Sequence, residues 1–228
     1  MFRIDLLLTD RPDRKLLTKI LYRAVVEGVR YNTNPYLGSY RIVPSDPAEE
    51  IHVDASGETE KTEELVEAVD RYVMFDPRST ELGITVSYTA VDPPLICRIA
   101  VKPVEHENYI LEFEARPSQI EDRDRFRSFL QLPWSIFDRF DFPYGASRIG
   151  EQEPIPTDIK SATETEVRLA TFYSAALADD IGLSRIRSAP TVLTTESEDG
   201  GLFLLACDNP RGCLQETNKL EYHLMRNK

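Results

Sequence analysis

The strongest constraint on this chain is an order of short apolar runs and helical stretches that comes round twice. Residues 2–8 (FRIDLLL) and 109–115 (YILEFEA) are of strand length and largely apolar, and each leads into a stretch with helical spacing. After the first, Pro12 and Asp13 open a helix to about Val29, with Leu16, Leu17, Ile20, Leu21, Ala24 and Val25 on one face. Lys15, Lys19 and Arg23 recur every four residues on its opposite side. A polar loop at Asn32–Pro35, a short strand at Ser39–Val43, a second helix from about Thr59 to Val73 and strands near 82–90 and 95–102 complete the first pass. In the strand near 82–90, Ile84, Val86 and Tyr88 alternate with small or polar residues, the pattern of a half-buried strand.

Displacing the chain by 107 positions carries Arg41-Ile42 onto Arg148-Ile149, Pro47 onto Pro154, Asp92 onto Asp199, Leu95 onto Leu202 and Pro103 onto Pro210. Helix-like residues 119–131 and 174–187 then take the places of the first two helices, and a last helix at about 214–226 is left over. The identities are few, and the shared order of elements and turns carries the argument. The predicted fold is α+β: a tandem pseudo-duplication of a β-α-β-α-β-β unit, residues 1–107 and 108–228, the second with the extra C-terminal helix. No Gly/Ser-rich linker marks the boundary, so the halves are expected to form one compact body with a mixed or antiparallel sheet and helices covering one side.

The formal net charge is −12, from 39 acidic and 27 basic residues. Such an excess repels a phosphate backbone or an anionic bilayer and favours a basic protein partner. It also serves solubility, and 20 Arg against 7 Lys fits adaptation to salt or to a GC-rich genome equally well. Three cysteines stand at no metal-like spacing, and Cys97 and Cys207 lie inside apolar runs, which predicts buried, reduced thiols and an intracellular setting. The first apolar run is broken by Asp5 and stops at Asp10, too short for a signal sequence, and no stretch reaches the ~20 apolar residues of a membrane span. A cytoplasmic protein is expected.

No G-x-S-x-G, Walker, G-x-G-x-x-G or H-E-x-x-H pattern occurs, and 10 Gly leave few loops through which backbone reaches a phosphate. His52, His106 and His223 have no His or Cys within four residues, so no zinc spacing exists. No catalytic residue, metal site or cofactor is assigned on these grounds. Glu112 and Glu114 read as the solvent face of a strand, and Asp122 and Asp124 among Arg123, Arg125 and Arg127 as an ion-paired helix surface. Acid–base work needs a desolvated carboxyl with a raised pKa. A hydrolase or transferase site at the junction of the halves, using Glu112 or Asp141, is the enzymatic alternative.

Two stretches are candidate binding surfaces. Residues 132–149 (LPWSIFDRFDFPYGASRI) hold the only Trp, Trp134, with Phe137, Phe140, Phe142, Arg139, Tyr144 and Arg148. Trp, Tyr and Arg anchor protein interfaces, so Trp134, Arg139, Tyr144 and Arg148 are candidates, against the alternative that Trp134, Phe137 and Phe140 plug the core. Residues 44–67 hold nine acids against one base. Glu49, Glu50, Asp54 and Glu63 are its candidate contacts with a basic protein, against the alternative of a solvated loop and an acidic helix N-terminus.

The layout resembles immunity proteins of bacterial polymorphic-toxin and secretion-delivered toxin systems, in the group built from two similar α+β halves. The features that carry the likeness are the opening strand and amphipathic helix, residues 81–87 (ELGITVS), residues 170–174 (ATFYS) before a helix ending near Gly182, residues 199–205 (DGGLFLL), residues 208–210 (DNP) and the terminal helix. The chain is much poorer in Trp than that group. The resemblance implies a non-catalytic cytoplasmic protein that blocks a toxin by direct binding, and it transfers no functional residue. A monomer or homodimer is expected, and a structural subunit of a larger assembly is the third alternative.

Overall fold

Among the described residues every strand pairing is antiparallel, and the eleven strands belong to one sheet. The computed structural model describes residues 1–31, 39–54, 62–76, 78–104 and 108–225. The first half contains β1 (Phe2–Leu8), α1 (Arg14–Val26), β2 (Val29–Arg30), β3 (Ser39–Val43), β4 (Ile51–Asp54), α2 (Thr62–Tyr72), β5 (Glu81–Tyr88) and β6 (Leu95–Pro103). The second contains β7 (Tyr109–Ala115), α3 (Arg123–Arg139), β8 (Tyr144–Ile149), β9 (Ala170–Tyr173), α4 (Ala175–Ile181), α5 (Leu183–Arg187), β10 (Leu193–Glu196), β11 (Leu202–Leu205) and α6 (Leu214–Met225). The strand order is β10-β11-β9-β8-β1-β7-β6-β5-β3-β4, with β2 on β5. The α+β expectation is met.

The central pair is β1 and β7, in register from Phe2–Ala115 to Leu8–Tyr109. Outward from this pair the order is β6, β5, β3, β4 on one side and β8, β9, β11, β10 on the other. The hairpins β5–β6 and β10–β11 correspond under the 107-residue displacement, but β3 lies near an edge while its counterpart β8 pairs with central β1. The sheet therefore does not repeat its strand order across residue 107.

Side chains on a strand alternate between the faces, so the register sorts them. Ile4, Leu6, Leu111, Phe113, Ile99, Val101, Leu82 and Ile84 share one face. Against them pack Leu17, Ile20 and Leu21 of α1 and Leu65, Val69 and Tyr72 of α2, all buried. Further along the same face Phe126 and Phe129 of α3 meet Phe2 edge-on. Asp13 caps α1, its carboxylate accepting from the Leu16 N–H at 2.7 Å, and Asp122 caps α3 in the same way. Pro133 sits inside α3, where it removes one helical hydrogen bond; burial of Leu132, Trp134, Ile136 and Phe137 around it holds the helix together.

Helices are not confined to one side. On the opposite face, Tyr144 and Tyr173 lie side by side under the 162–166 segment, which α4 in turn holds through the Ala162 N–H donating to Asp180. Among the described residues no helix is long and apolar enough to cross a membrane.

Candidate functional site

Away from that covered end, the second face of the sheet is lined with charge. Arg3 and Asp5 of β1, Glu112 and Glu114 of β7, Arg98 and Lys102 of β6, Glu81 of β5 and Arg148 of β8 all fall on it by register. Asp5 and Glu112 are fully buried. Arg148 bridges them: its Nε and Nη2 donate to Asp5 at 2.9 and 3.3 Å, and Nη2 also reaches Glu112 at 2.6 Å. Lys102 donates to the other Glu112 oxygen at 2.7 Å, Arg3 to Glu114 at 2.6 Å, and Arg98 to Glu81. Gly83 is what lets the Arg98 guanidinium lie flat across β5, since a side chain there would collide with it.

Four carboxylates and four cations thus neutralise one another across five adjacent strands. Burial pushes the Asp5 carboxyl above its usual value, against the pull of its bond with Arg148. The network specifies register: slipping β1 by one residue would turn Asp5 into the apolar layer. Its oxygens are occupied by internal donors, which is a structural arrangement.

The sequence-predicted interface in 132–149 largely folds inward. Trp134 is only 7% exposed and stacks with Phe137, Phe172 and Phe203 at centroid distances of 6.0, 6.3 and 5.9 Å. Tyr144, expected on the surface, is fully buried; its hydroxyl donates to the Glu166 carbonyl, and burial holds the phenol well above its ordinary pKa. Arg148, also expected to face a partner, is the bridge just described. These three residues are anchors of the fold rather than of a surface. Arg139 alone of the four is exposed, at the last residue of α3.

In the acidic stretch, Glu49 and Glu50 are exposed beside the 3-10 turn Pro47–Glu49, and Glu63 is exposed in the first turn of α2. Arg41 binds Glu50 through two bonds of 2.7 and 3.0 Å, and that hydrogen bonding holds the Glu50 carboxyl below its usual value. The unforeseen element here is β4, which runs through the acidic stretch as the last strand of the sheet. Asp54 ends β4; its side chain, and Glu58, Glu60 and His106, lie outside the described residues.

Glu112 and Glu114 do share a face, as expected, but that face is not open water at Glu112. Asp141 lies elsewhere, on a cleft of about 340 Å³ with Asp138, Phe140, Ser174, Ser197 and Asp199. Cys97 is buried, and burial pushes its thiol up to about 12. Cys207 is not a free thiol as expected: it forms a disulfide with Cys213 across the 208–212 loop. That loop brings the two sulfurs together, which the apolar setting of Cys207 did not reveal.

A second charged feature lies on the helix layer. Lys15, Leu16, Lys19, Tyr22 and Arg23 of α1 and Arg139 and Phe140 at the end of α3 line a cleft of about 670 Å³, with Asp13 at its rim. Neither Asp5 nor Glu112 lines either cleft. The α1 cations were visible in the sequence as a solvent-side row; their meeting with Arg139 was not. Searches of protein-family models, of curated proteins and of solved structures find no match to this chain.

Proposed function

We propose that this chain is a non-catalytic protein-binding module that engages a basic partner through the acidic end of its sheet, in the manner of an immunity protein that neutralises a toxin by covering it. The observation that carries the reading is the setting of β4. Among the described residues no strand pairs with its outer edge, so its backbone donors and acceptors are available to an added strand. Glu49 and Glu63 are exposed around it, with Glu50 beside them bonded to Arg41, and the excess of negative charge there selects a cationic partner and speeds its approach. The net charge of −12 acts in the same direction. The fully engaged state of Asp5 and Glu112 supports a binding role over carboxylate chemistry.

The test is titration of the full chain with an extended peptide of alternating lysine and valine, with its glutamate-for-lysine counterpart as control. Saturable, salt-sensitive binding of the basic peptide is expected, with hydrogen-exchange protection gained at residues 49–54. The Glu49→Lys/Glu50→Lys/Glu63→Lys variant should lose it by roughly tenfold or more, since each tenfold corresponds to only about 1.4 kcal/mol. Protection appearing elsewhere, or equal binding of both peptides, would overturn the assignment.

A further inference from the structure

The α1–α3 cleft has no role in that reading, and its charge is opposite to that of the protein as a whole. Lys15, Lys19 and Arg139 are exposed cations with no carboxylate partner among the described residues; Arg23 alone is paired, to Glu27 at 2.5 Å. The first turn of α1 contains no acid and carries Lys15, although a helix N-terminus, being the positive end of the backbone dipole, favours acids there. The acid that the helix N-terminus favours is supplied one residue earlier by the cap Asp13, which leaves Lys15 without a carboxylate partner among the described residues. Beside the cations stand apolar groups in the open: Tyr22 is 52% and Val26 74% exposed, and Leu16 and Phe140 are half-buried.

From this geometry we infer that the cleft is a docking site for an acidic, amphipathic peptide segment of a partner protein. Lys15, Lys19, Tyr22 and Val26 follow one another at intervals of four, three and four residues, so they form a single stripe along α1. Lys15 to Arg23 spans about 12 Å at the helical rise per residue. Cations spread over that length do not close on one phosphate, but they match carboxylates that recur once per turn on a facing helix. Tyr22, Val26 and Phe140 then take the apolar side chains of that helix, and Arg139 covers its flank. A long nucleic acid is disfavoured by the net charge of −12. The inference is independent of the β4 edge and uses none of its residues.

The experiment is fluorescence anisotropy with the full chain and a labelled helical peptide carrying glutamate at every fourth position and leucine between. Controls are its glutamine-for-glutamate analogue and a single-stranded oligonucleotide of equal charge. The acidic peptide should bind, and the neutral analogue should bind at least about tenfold more weakly. Lys15→Gln/Lys19→Gln should weaken binding by roughly tenfold and Arg139→Gln by several-fold, while Tyr22→Ala should lose affinity that salt does not modulate. Lys219→Glu, an exposed cation outside the cleft, should change nothing. The exposed sites make folding of the variants straightforward to check by their urea midpoints. Equal or tighter binding of the oligonucleotide, affinity unchanged by the α1 variants, or no binding at low salt would each overturn the inference.

Discussion

The polar face at the centre of the sheet and the cleft between α1 and α3 carry the same number of cationic side chains in opposite settings. Arg3, Arg98, Lys102 and Arg148 lie on the sheet, each bonded to Asp5, Glu81, Glu112 or Glu114. Lys15, Lys19, Arg23 and Arg139 line the cleft, where Asp13 is the one acid and its carboxylate caps α1. A buried charge is tolerated only when paired, so the first group is bound into the fold. An exposed charge costs little to leave unpaired, so Lys15, Lys19 and Arg139 are available to something outside, while Arg23 is held by Glu27. Charge count alone does not separate the two; burial and partners do.

The largest test of this contrast is Arg148→Ala. It strips donors from two buried carboxylates at once and should lower the unfolding free energy by about 3–5 kcal/mol, read from urea denaturation. Lys19→Ala, which removes the same charge from the cleft, should stay within about 0.5 kcal/mol of the parent. Comparable losses for the two variants would break the comparison.

A second test uses pH. Asp5 binds its proton more tightly when folded because burial raises its pKa, so its ionisation works against folding. Its contribution is favourable below the ordinary value of 3.8 and is lost as pH rises through the higher folded value. Asp70, held low by its hydrogen bond from Arg14, behaves in the reverse sense and loses its contribution as pH falls. Asp5→Asn should therefore remove one component of the stability slope on the alkaline side of 3.8, whatever it does to the absolute stability. An unchanged slope would show that the buried network does not titrate as described.

The smallest effect is the most pointed. Lys15→Glu places an acid in the first turn of α1 and should raise stability by ~0.3–1 kcal/mol, while the same substitution weakens capture of the acidic peptide. A variant that gains stability as it loses binding would sharpen the division between charge kept for folding and charge kept for contact.

Several strands were legible from the residues alone: 2–8, 39–43 and 109–115 coincide with β1, β3 and β7, and the alternating residues near 82–90 overlap β5, Glu81–Tyr88. The helix-like stretch 119–131 corresponds to α3, which starts later, at Arg123, and which buried packing around Pro133 carries on to Arg139. The 174–187 stretch divides into α4 and α5 at Gly182, whose φ of 95° interrupts the helix. Strand β4 was hidden by the acids around it. The central network did leave a trace, since Arg3 and Asp5, Glu112 and Glu114, and Arg98 and Lys102 each recur at alternate positions or along one face with complementary sign. What local pattern could not supply was the pairing that sets β8 beside β1, and with it the fate of Arg148 and Tyr144.

The position of β1 bears on how the molecule is made. Both of its neighbours, β7 and β8, come from beyond residue 107, so Phe2 waits for Ala115 on one flank and Ile149 on the other. Residues as far as Ile149 must leave the ribosome before β1 is flanked on both sides. Contacts of such long sequence separation slow folding, and a nascent apolar strand left single for that interval is a natural client for chaperones.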